Sequence, residues 1–167
     1  MMDNQMNEML DVLDVMGSVE EGMLQYLTFE LNDEHYGVEI LRVQEIKGWD
    51  HVTPIPNTPG HLCGVLNLRG AIVPIVDLRL LFDMPFVPYS NTTVVVVLKV
   101  HDVAQRTVGI VVDAVSDAHM IHPDSITEAP DFGEVVATDF INGIARVNEN
   151  MLMLLDVDNL LSTEQIG

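Results

Sequence analysis

The residues of this sequence best suited to metal or nucleophile chemistry are His51, His61 and Cys63. A structural zinc ion needs four ligands, usually paired Cys and His residues at short spacing, and this group has no second pair. The chain also lacks a glycine-rich phosphate loop, a G-x-S-x-G nucleophile elbow and an H-E-x-x-H helix motif. The remaining histidines are scattered through predicted turns and loops, at His35, His101, His119 and His122. We therefore predict no enzyme activity, no metal and no cofactor.

Arg69 is a stronger candidate for binding chemistry, because it occupies a predicted hairpin turn within an internal repeat. Residues 64–82 match residues 143–161 at an offset of 79 positions. In this alignment Arg69 falls on Asn148, so the fold of the turn does not itself require arginine. A planar guanidinium can bind a carboxylate or carbonyl through paired hydrogen bonds, or stack on an aromatic ring. On the sequence alone, an arginine in a hairpin turn is usually a solvated turn residue, so both readings of Arg69 stay open at this point.

Each copy of the repeat reads as a strand, a polar turn, a second strand and a short Leu-rich helix. Asp77 and Asp156 open the two helices, where a carboxylate can accept the unpaired N–H groups of the first turn. A second match places residues 36–40 over residues 108–112 at an offset of 72. The chain therefore looks like two similar β modules in tandem.

The other elements predicted from the sequence are also mostly strands. Apolar and polar residues alternate over residues 26–31 and 36–40, which is typical of a hairpin with one buried face. Residues 92–100 and 106–115 are almost continuously apolar and are predicted to pair as antiparallel strands buried on both faces. We predict a loop over residues 116–139. Many short strands at close spacing favour a mainly β fold of two five-stranded barrels with a shared core and short helices.

Composition narrows the classes of function. The 167 residues include 26 acidic and seven basic side chains, a net charge of −19, and 48% are hydrophobic. Such a chain has enough apolar residues for a core but no basic cluster for nucleic acid, and anionic lipid should repel it. The single cysteine excludes an internal disulfide. With no secretory signal and no apolar run long enough to span a bilayer, we expect a cytoplasmic protein.

We divide the sequence into an acidic N-terminal tail, residues 1–22, and a domain of two barrel subdomains, residues 23–167. The tail contains six acidic residues and no basic ones. Its apolar residues nevertheless recur at helical spacing, at Met6, Met9, Leu10, Leu13 and Met16. We expect the tail to be flexible or partly helical, or to form a helix in the groove of a partner.

Three segments in order resemble the CheW family of chemotaxis coupling proteins: residues 36–46, residues 64–79 and residues 108–117. They read YGVEILRVQEI, GVLNLRGAIVPIVDLR and VGIVVDAVSD, and the resemblance covers roughly residues 25–161. It implies a non-catalytic adaptor of two SH3-like five-stranded β-barrels around a shared hydrophobic core. Its partners would be the cytoplasmic tip of methyl-accepting chemoreceptors and the regulatory domain of the CheA histidine kinase. Family members work in arrays beneath membrane receptors, which they reach through protein contacts.

The resemblance also implies a receptor-binding surface, whereas it assigns no individual residue to the kinase. Two apolar side chains of this surface would contact a receptor helix, Arg69 would bind a carboxylate or carbonyl, and a glycine would allow close backbone approach. The predicted receptor-binding residues are Val43, Glu45, Ile46, Gly64, Arg69 and Val94.

Three alternatives stay open at this point. One is a CheW-like adaptor of a different chemosensory pathway, with the same fold and other partners. Another is the scaffold half of a coupling protein fused to a receiver domain, for which we expect no room before Gly167. The last is a small hydrolase or metal protein that uses the histidine-rich loops. Self-association through exposed barrel ends is also open.

Overall fold

The fold is taken from a computed structural model that describes residues 22–55, 62–85, 87–101, 105–128 and 140–162. The predictions for the tail, apart from Gly22, lie outside these residues. In the described part of the chain, no helix is long and apolar enough to cross a membrane.

The described residues form ten strands and two short α-helices, and the prediction of a mainly β chain is confirmed. The strands are β1 (Leu24–Leu31), β2 (Glu34–Glu39), β3 (Val43–Gly48), β4 (Leu62–Leu68), β5 (Ala71–Asp77), β6 (Val94–His101), β7 (Gln105–Val112), β8 (Ala114–Ile121), β9 (Ile141–Val147) and β10 (Asn150–Leu155). The helices are α1 (Leu78–Leu81) and α2 (Val157–Leu160), and 3-10 turns lie at Ile40–Arg42, Trp49–His51 and Pro123–Ser125.

The strands form two five-stranded sheets, which agrees with the predicted pair of five-stranded modules. The first sheet has the order β3-β6-β7-β5-β4, and the second has the order β8-β1-β2-β10-β9. The first sheet uses a continuous part of the chain, whereas the second combines its first two strands with its last three. Antiparallel pairing of β1 with β8 and parallel pairing of β2 with β10 join the early and late strands of the second sheet. We call the first sheet with its helix α1 the first module, and the second sheet with α2 the second module. The strands of the first module lie in sequence between β2 and β8 of the second.

The largest hydrophobic cluster lies between the two sheets and draws on both, so the core is shared as predicted. β1, β2 and β10 contribute from one side, and β6 and β7 contribute from the other. The rings of Phe29 and Phe82 both stack on the Tyr36 ring, with centroids 6.0 Å apart in each pair. A smaller cluster fills each module: Leu66, Val95 and neighbours in the first, and Tyr26, Leu154 and neighbours in the second.

The predicted repeat is present in three dimensions. The β4–β5 and β9–β10 hairpins each end in a short helix, whose first turn is capped by Asp77 or Asp156. Each hairpin is also joined to a passing segment by a two-hydrogen-bond bridge, from Thr53 to Val65 and from Thr127 to Ile144. The offset of 79 positions thus relates two hairpin–helix units of the same structure.

The prediction of a loop over residues 116–139 is wrong for its first part. Residues 114–121 form β8, which pairs antiparallel with β1, from Leu24 opposite Ile121 to Glu30 opposite Ala114. β8 lies at the edge of its sheet, and its side chains are mostly exposed or half-buried. The strand is held by backbone pairing to β1 with little burial, so its sequence AVSDAHMI lacks the apolar alternation that predicts a strand. Residues 129–139 lie outside the described residues.

Two groups of Arg–Asp ion pairs, which we call clamps, link the modules. The helix supplies the arginine in the first clamp and the aspartate in the second. In the first, Arg79 of α1 donates hydrogen bonds to Asp77 at 3.0 and 2.9 Å and to Asp113 at 2.9 Å. Asp113 follows β7 and accepts the backbone N–H of Asn32, in the β1–β2 turn, at 2.8 Å. The first module's helix is therefore bonded to a hairpin of the second sheet.

In the second clamp the charges are exchanged. Asp158 of α2, which aligns with Arg79 in the repeat, accepts hydrogen bonds from Arg42 at 2.6 and 2.7 Å. Arg42 follows β2, as Asp113 follows β7. Asp158 also accepts the backbone N–H of His101 at the end of β6, at 2.7 Å. The two helices thus occupy equivalent positions and use opposite charges to bind the other module.

The second clamp makes stability depend on pH. The hydrogen bonds from Arg42 lower the pKa of Asp158 below its ordinary value of 3.8. A lowered pKa in the folded state contributes stability above the ordinary value, and this is lost as pH falls through the folded-state pKa. Asp158→Asn should therefore lower the free energy of unfolding by about 1–2 kcal/mol at pH 7. In urea titrations this difference should shrink as pH is lowered from about 5 to about 2. Asp50→Asn, at an exposed site, should show neither effect; an Asp158→Asn deficit that persists unchanged in acid would contradict this assignment.

Candidate partner-binding site

The first sheet curls so that its two edges meet at a charged cluster of Glu45, Lys47 and Arg69. Glu45 and Lys47 lie on the edge strand β3, and Arg69 occupies the turn between β4 and β5 at the other edge. Glu45 Oε1 lies 2.9 Å from Lys47 Nζ, and Glu45 Oε2 lies 3.3 Å from Arg69 Nη2. Contact between the edge strand and the far turn closes the sheet into a barrel and places two predicted site residues together.

The cluster is asymmetric in its exposure. The Arg69 side chain is 74% exposed, whereas that of Glu45 is only 13% exposed. Glu45 Oε2 is buried and accepts no hydrogen bond, so the 3.3 Å approach of Arg69 is a contact of charges without hydrogen-bond alignment. A guanidinium carries five N–H donors, and most of those of Arg69 face solvent. Glu45 can therefore orient a guanidinium that still has its hydrogen-bonding capacity for a partner.

The backbone of the turn gives a second reason to regard Arg69 as a binding residue. Arg69 has φ = 51° and Gly70 has φ = 88°, and Asn67 Oδ1 accepts the N–H of Gly70 at 2.9 Å. In the equivalent turn Asn148 has the same φ of 51°. Asparagine tolerates the left-handed region well, whereas arginine does so at a cost of about 1 kcal/mol. The left-handed backbone of this turn thus favours asparagine, which is found at position 148, and it does not explain why residue 69 is arginine.

The predicted apolar contacts are placed differently. Ile46 and Val94 are buried in the core between the sheets, and Val43 is half-buried and packs against the same core. Ile46 lies directly between Glu45 and Lys47 on β3, so its burial fixes the strand that carries both charges. We predicted that Ile46 and Val94 contact a receptor directly. Because both are buried, we now expect them to support the strands of this surface from the core.

Gly64 has a structural reason to be glycine within the chain itself. A Cβ added there would lie 2.4 Å from the Thr53 carbonyl oxygen and 2.9 Å from Val52 Cγ1. Gly64 precedes Val65, whose backbone N–H and C=O are both bonded to Thr53 at 2.8 Å. The close backbone approach predicted for a receptor is thus made by a neighbouring segment of the same molecule.

We expect Gly64→Ala to lower the free energy of unfolding by about 1–3 kcal/mol, because the backbone around Thr53 must move to admit the methyl group. Amide hydrogen exchange should accelerate at Thr53 and Val65. Gly70→Ala is the matched control, since a Cβ there meets nothing within 4 Å and only its positive φ is strained. Unchanged exchange at Thr53 and Val65 in Gly64→Ala would show that the bridge absorbs the methyl group.

Sequence reasoning missed two residues of this surface, Lys47 within the cluster and Ile72 beside it. Lys47 shares a face of β3 with Glu45, and the period of two along a strand was the signal that could have identified it. Ile72 lies two residues beyond the turn and is 64% exposed, which is unusual for isoleucine. Both extend the surface around Arg69 by a charge and an apolar side chain.

The described residues offer no metal centre: no three His, Cys, Asp or Glu side chains among them are close enough to hold an ion. His61 lies outside the described residues. Cys63 is half-buried, and its thiol approaches the Ile75 carbonyl oxygen at 3.5 Å. Burial, and then the charge of Asp77, raises the pKa of the Cys63 thiol to about 12. Such a thiol is protonated at neutral pH and is a poor nucleophile or metal ligand.

Comparison with known proteins agrees with this architecture. Residues 25–165 match the family model described as a CheW-like domain. "Chemotaxis protein CheW" of Klebsiella aerogenes is 48% identical over 143 residues, which are 86% of this chain and 84% of that protein. The protein of the same name from Rhizobium meliloti is 34% identical over 144 residues, 86% of this chain and 91% of that protein.

A solved structure extends the agreement to three dimensions. The crystal structure of the scaffolding protein TtCheW from Thermoanaerobacter tengcongensis superposes with a TM-score of 0.77 at 27% sequence identity. The match covers 89% of this chain and 94% of that one. With a family match over most of its length and relatives above 30% identity, the chain belongs to the CheW family of chemotaxis proteins.

Proposed function

We propose that this protein is a non-catalytic adaptor that couples methyl-accepting chemoreceptors to the CheA histidine kinase. The observation that carries the proposal is that the family match spans residues 25–165, including both sheets and their shared core. An adaptor needs two surfaces held in a fixed relation, and two sheets packed on one core and joined by two Arg–Asp clamps provide such a frame. The protein would act on the cytoplasmic side, joined to membrane receptor arrays by protein contacts.

The receptor surface that we propose is centred on Arg69, with Glu45, Lys47 and the half-buried Val43 beside it. Arg69 would donate paired hydrogen bonds to a carboxylate or carbonyl of the receptor helix, and Glu45 would hold the guanidinium in place. Lys47 would keep the buried Glu45 partly neutralised when Arg69 turns to the receptor, because it lies 2.9 Å from the other carboxylate oxygen. Ile46, Val94 and Gly64 would act from beneath by fixing the strands that carry these side chains.

The proposal is tested by two separate titrations of the full chain, with a receptor cytoplasmic fragment and with the regulatory domain of CheA, both from the same organism. An adaptor must bind each partner alone. Calorimetry should show saturable binding in both cases, and the two affinities need not be equal. Binding to neither would overturn the proposed partners while leaving the family fold intact, and it would favour an adaptor of a different chemosensory pathway.

A further inference from the structure

We propose that Lys99 is a second anion-binding point of the receptor surface, so that the first module binds a receptor helix through two of its carboxylates. One carboxylate would bind Arg69, and another, one or two helical turns away, would bind Lys99. This inference rests on the proposed function, because it adds a contact to the same surface. The contact is made by a residue that the family resemblance did not assign.

Strand register places Lys99 at the same end of the first sheet as the β4–β5 turn. β5 begins at that turn and runs parallel to β7, with Ile75 opposite Gly109, so the starts of the two strands lie at the same end. Lys99 of β6 pairs with Thr107, near the start of β7. The pair therefore lies at the open end of the first barrel, where Arg69 occupies the turn.

Lys99 also shares a face of the sheet with the charged cluster. Glu45 of β3 pairs with Val97 of β6, and Lys99 follows Val97 by two residues, so the three side chains point to one side. Diagonal neighbours such as Glu45 and Lys99 lie about 7–8 Å apart. Lys99 is exposed, and its ammonium makes no ion pair or hydrogen bond within the described part of the chain. Its three N–H donors can therefore serve an anion close to the Arg69 guanidinium.

The open end of the second barrel has the same strand pairing but different charges. β1 pairs with β2 and β8 as β6 pairs with β7 and β3, including the same one-residue shift in the edge strand. The corresponding residues are Lys99 and Glu30, Arg69 and Asn148, Glu45 and Asp117, and Lys47 and His119. In the first module three of the four are basic and one is acidic, a net charge of +2. In the second, two are acidic and none is basic, a net charge of −2 with neutral histidine. The barrel fold therefore does not itself require a cation at position 99.

The opposite charges favour one of two otherwise similar sites for an acidic helix. Carboxylates are attracted by the first open end and repelled by the second, and repulsion between like charges excludes a wrong docking site. The whole chain carries −19, but at about 0.15 M salt exposed charges are screened beyond about 8 Å, so the local charge dominates. The first open end thus suits an acidic partner on an otherwise acidic protein.

A helix can present two carboxylates at the required spacing. Residues four and seven positions apart share a face, and they lie about 6 and 10.5 Å apart along the axis. Glu45 lies between the two cations: Arg69 approaches it to 3.3 Å, and Lys99 is its diagonal neighbour on β6. The cleft that Lys99 lines also contains Thr107 and Gln44, whose side-chain oxygens lie 3.5 Å apart. The hydroxyl and the amide supply further donors for the second carboxylate.

The test is the affinity of the full chain for a receptor cytoplasmic fragment from the same organism, at about 0.1 M salt. Lys99→Glu should weaken binding by about 10-fold or more, mainly through slower association, because exposed charges act on the approach of a partner. Arg146→Glu is the matched control: it changes the net charge equally at an exposed site of the second sheet, and it should alter affinity by less than about 2-fold. At about 1 M salt, where the screening length is about 3 Å, the deficit of Lys99→Glu should shrink. Amide spectra report whether both variants stay folded.

Charge reversal in the receptor identifies the group that Lys99 binds. Acidic residues of the receptor tip are replaced by lysine one at a time, and one replacement should weaken binding to wild type while restoring binding to Lys99→Glu. The inference is overturned if Lys99→Glu and Arg146→Glu bind alike, or if no replacement restores binding. Wild type that binds the fragment no more weakly than Lys99→Glu but does bind it would overturn this inference alone. Wild type that does not bind the fragment would overturn the proposed function and this inference with it.

Discussion

Arg79→Ala should be strongly destabilising, lowering the free energy of unfolding by about 3–5 kcal/mol. Arg79 and Asp77 are both fully buried, and Asp113 is partly buried beside them. Removing the guanidinium leaves one buried carboxylate with its charge unmatched and deletes four hydrogen bonds, including one to the Val87 carbonyl oxygen at 2.9 Å. The total free energy of unfolding of a small domain is only about 5–15 kcal/mol, so the variant should be close to unfolding at ambient temperature.

The geometry around Arg79 explains why lysine should not replace it. The guanidinium lies 5.0 Å from the centre of the Tyr89 ring, and Tyr89 donates its hydroxyl to Asp77 at 2.9 Å. Tyr89 also stacks on Trp49 at 3.8 Å. Lysine keeps the charge but loses the planar fork, so Arg79→Lys should recover only part of the loss. In urea unfolding, wild type should be the most stable, Arg79→Lys intermediate and Arg79→Ala the least stable. The surface control Arg146→Ala should be as stable as wild type. If Arg79→Ala lowers the free energy of unfolding by less than about 1 kcal/mol, the first clamp does not stabilise the fold as proposed.

Replacing Arg69 with asparagine should separate binding from folding. The repeat supplies this variant, because asparagine occupies the equivalent turn at position 148 with the same φ of 51°. If Arg69 is the centre of the receptor surface, its loss should cost at least about 2 kcal/mol of receptor binding, or roughly 30-fold in affinity. Stability should stay within about 0.5 kcal/mol of wild type or rise, because asparagine relieves the cost of the left-handed conformation.

The converse substitution is the matched control for this prediction. Asn148→Arg places a guanidinium on the second hairpin turn, where Glu149 follows in place of Gly70. It should leave receptor affinity unchanged, because the equivalent positions of the edge strand β8 hold Asp117 and His119 in place of Glu45 and Lys47. Asp117 is exposed and accepts the Ala118 N–H, whereas Glu45 is largely buried and faces Arg69. If Arg69→Asn binds a receptor fragment as tightly as wild type, the exposed guanidinium is only a solvated turn residue.

The hairpins and helix caps could be predicted because their signals are local. Each hairpin has an apolar strand on either side of a polar turn, and Asp77 and Asp156 begin helices by capping them, so the offset of 79 positions located both units. The CheW family was likewise predicted from residues 36–46, 64–79 and 108–117, and the family match confirms it. The pairing of β6 with β7 followed from two apolar runs separated by a short turn.

Features that depend on long-range pairing were not predicted. β8 is a strand only because β1 pairs with it, nearly ninety positions away, as in the hydrogen bond from Thr28 Oγ1 to the Asp117 carbonyl oxygen. The Arg42–Asp158 clamp joins residues separated by 116 positions. The resemblance assigned Ile46 and Val94 to the receptor surface, whereas both are buried between the sheets. The sequence pattern of a strand does not show which of its faces packs against the other sheet.

The most direct test of the adaptor is co-sedimentation of receptor fragments, full-length CheA and this protein, with kinase activity measured in the pellet. Simultaneous binding to both partners is the central claim, and two separate titrations cannot establish it. The account predicts that wild type brings CheA into the receptor pellet and raises its activity, whereas Arg69→Asn binds CheA but leaves it in the supernatant. CheA that sediments and responds equally with and without this protein would contradict the account.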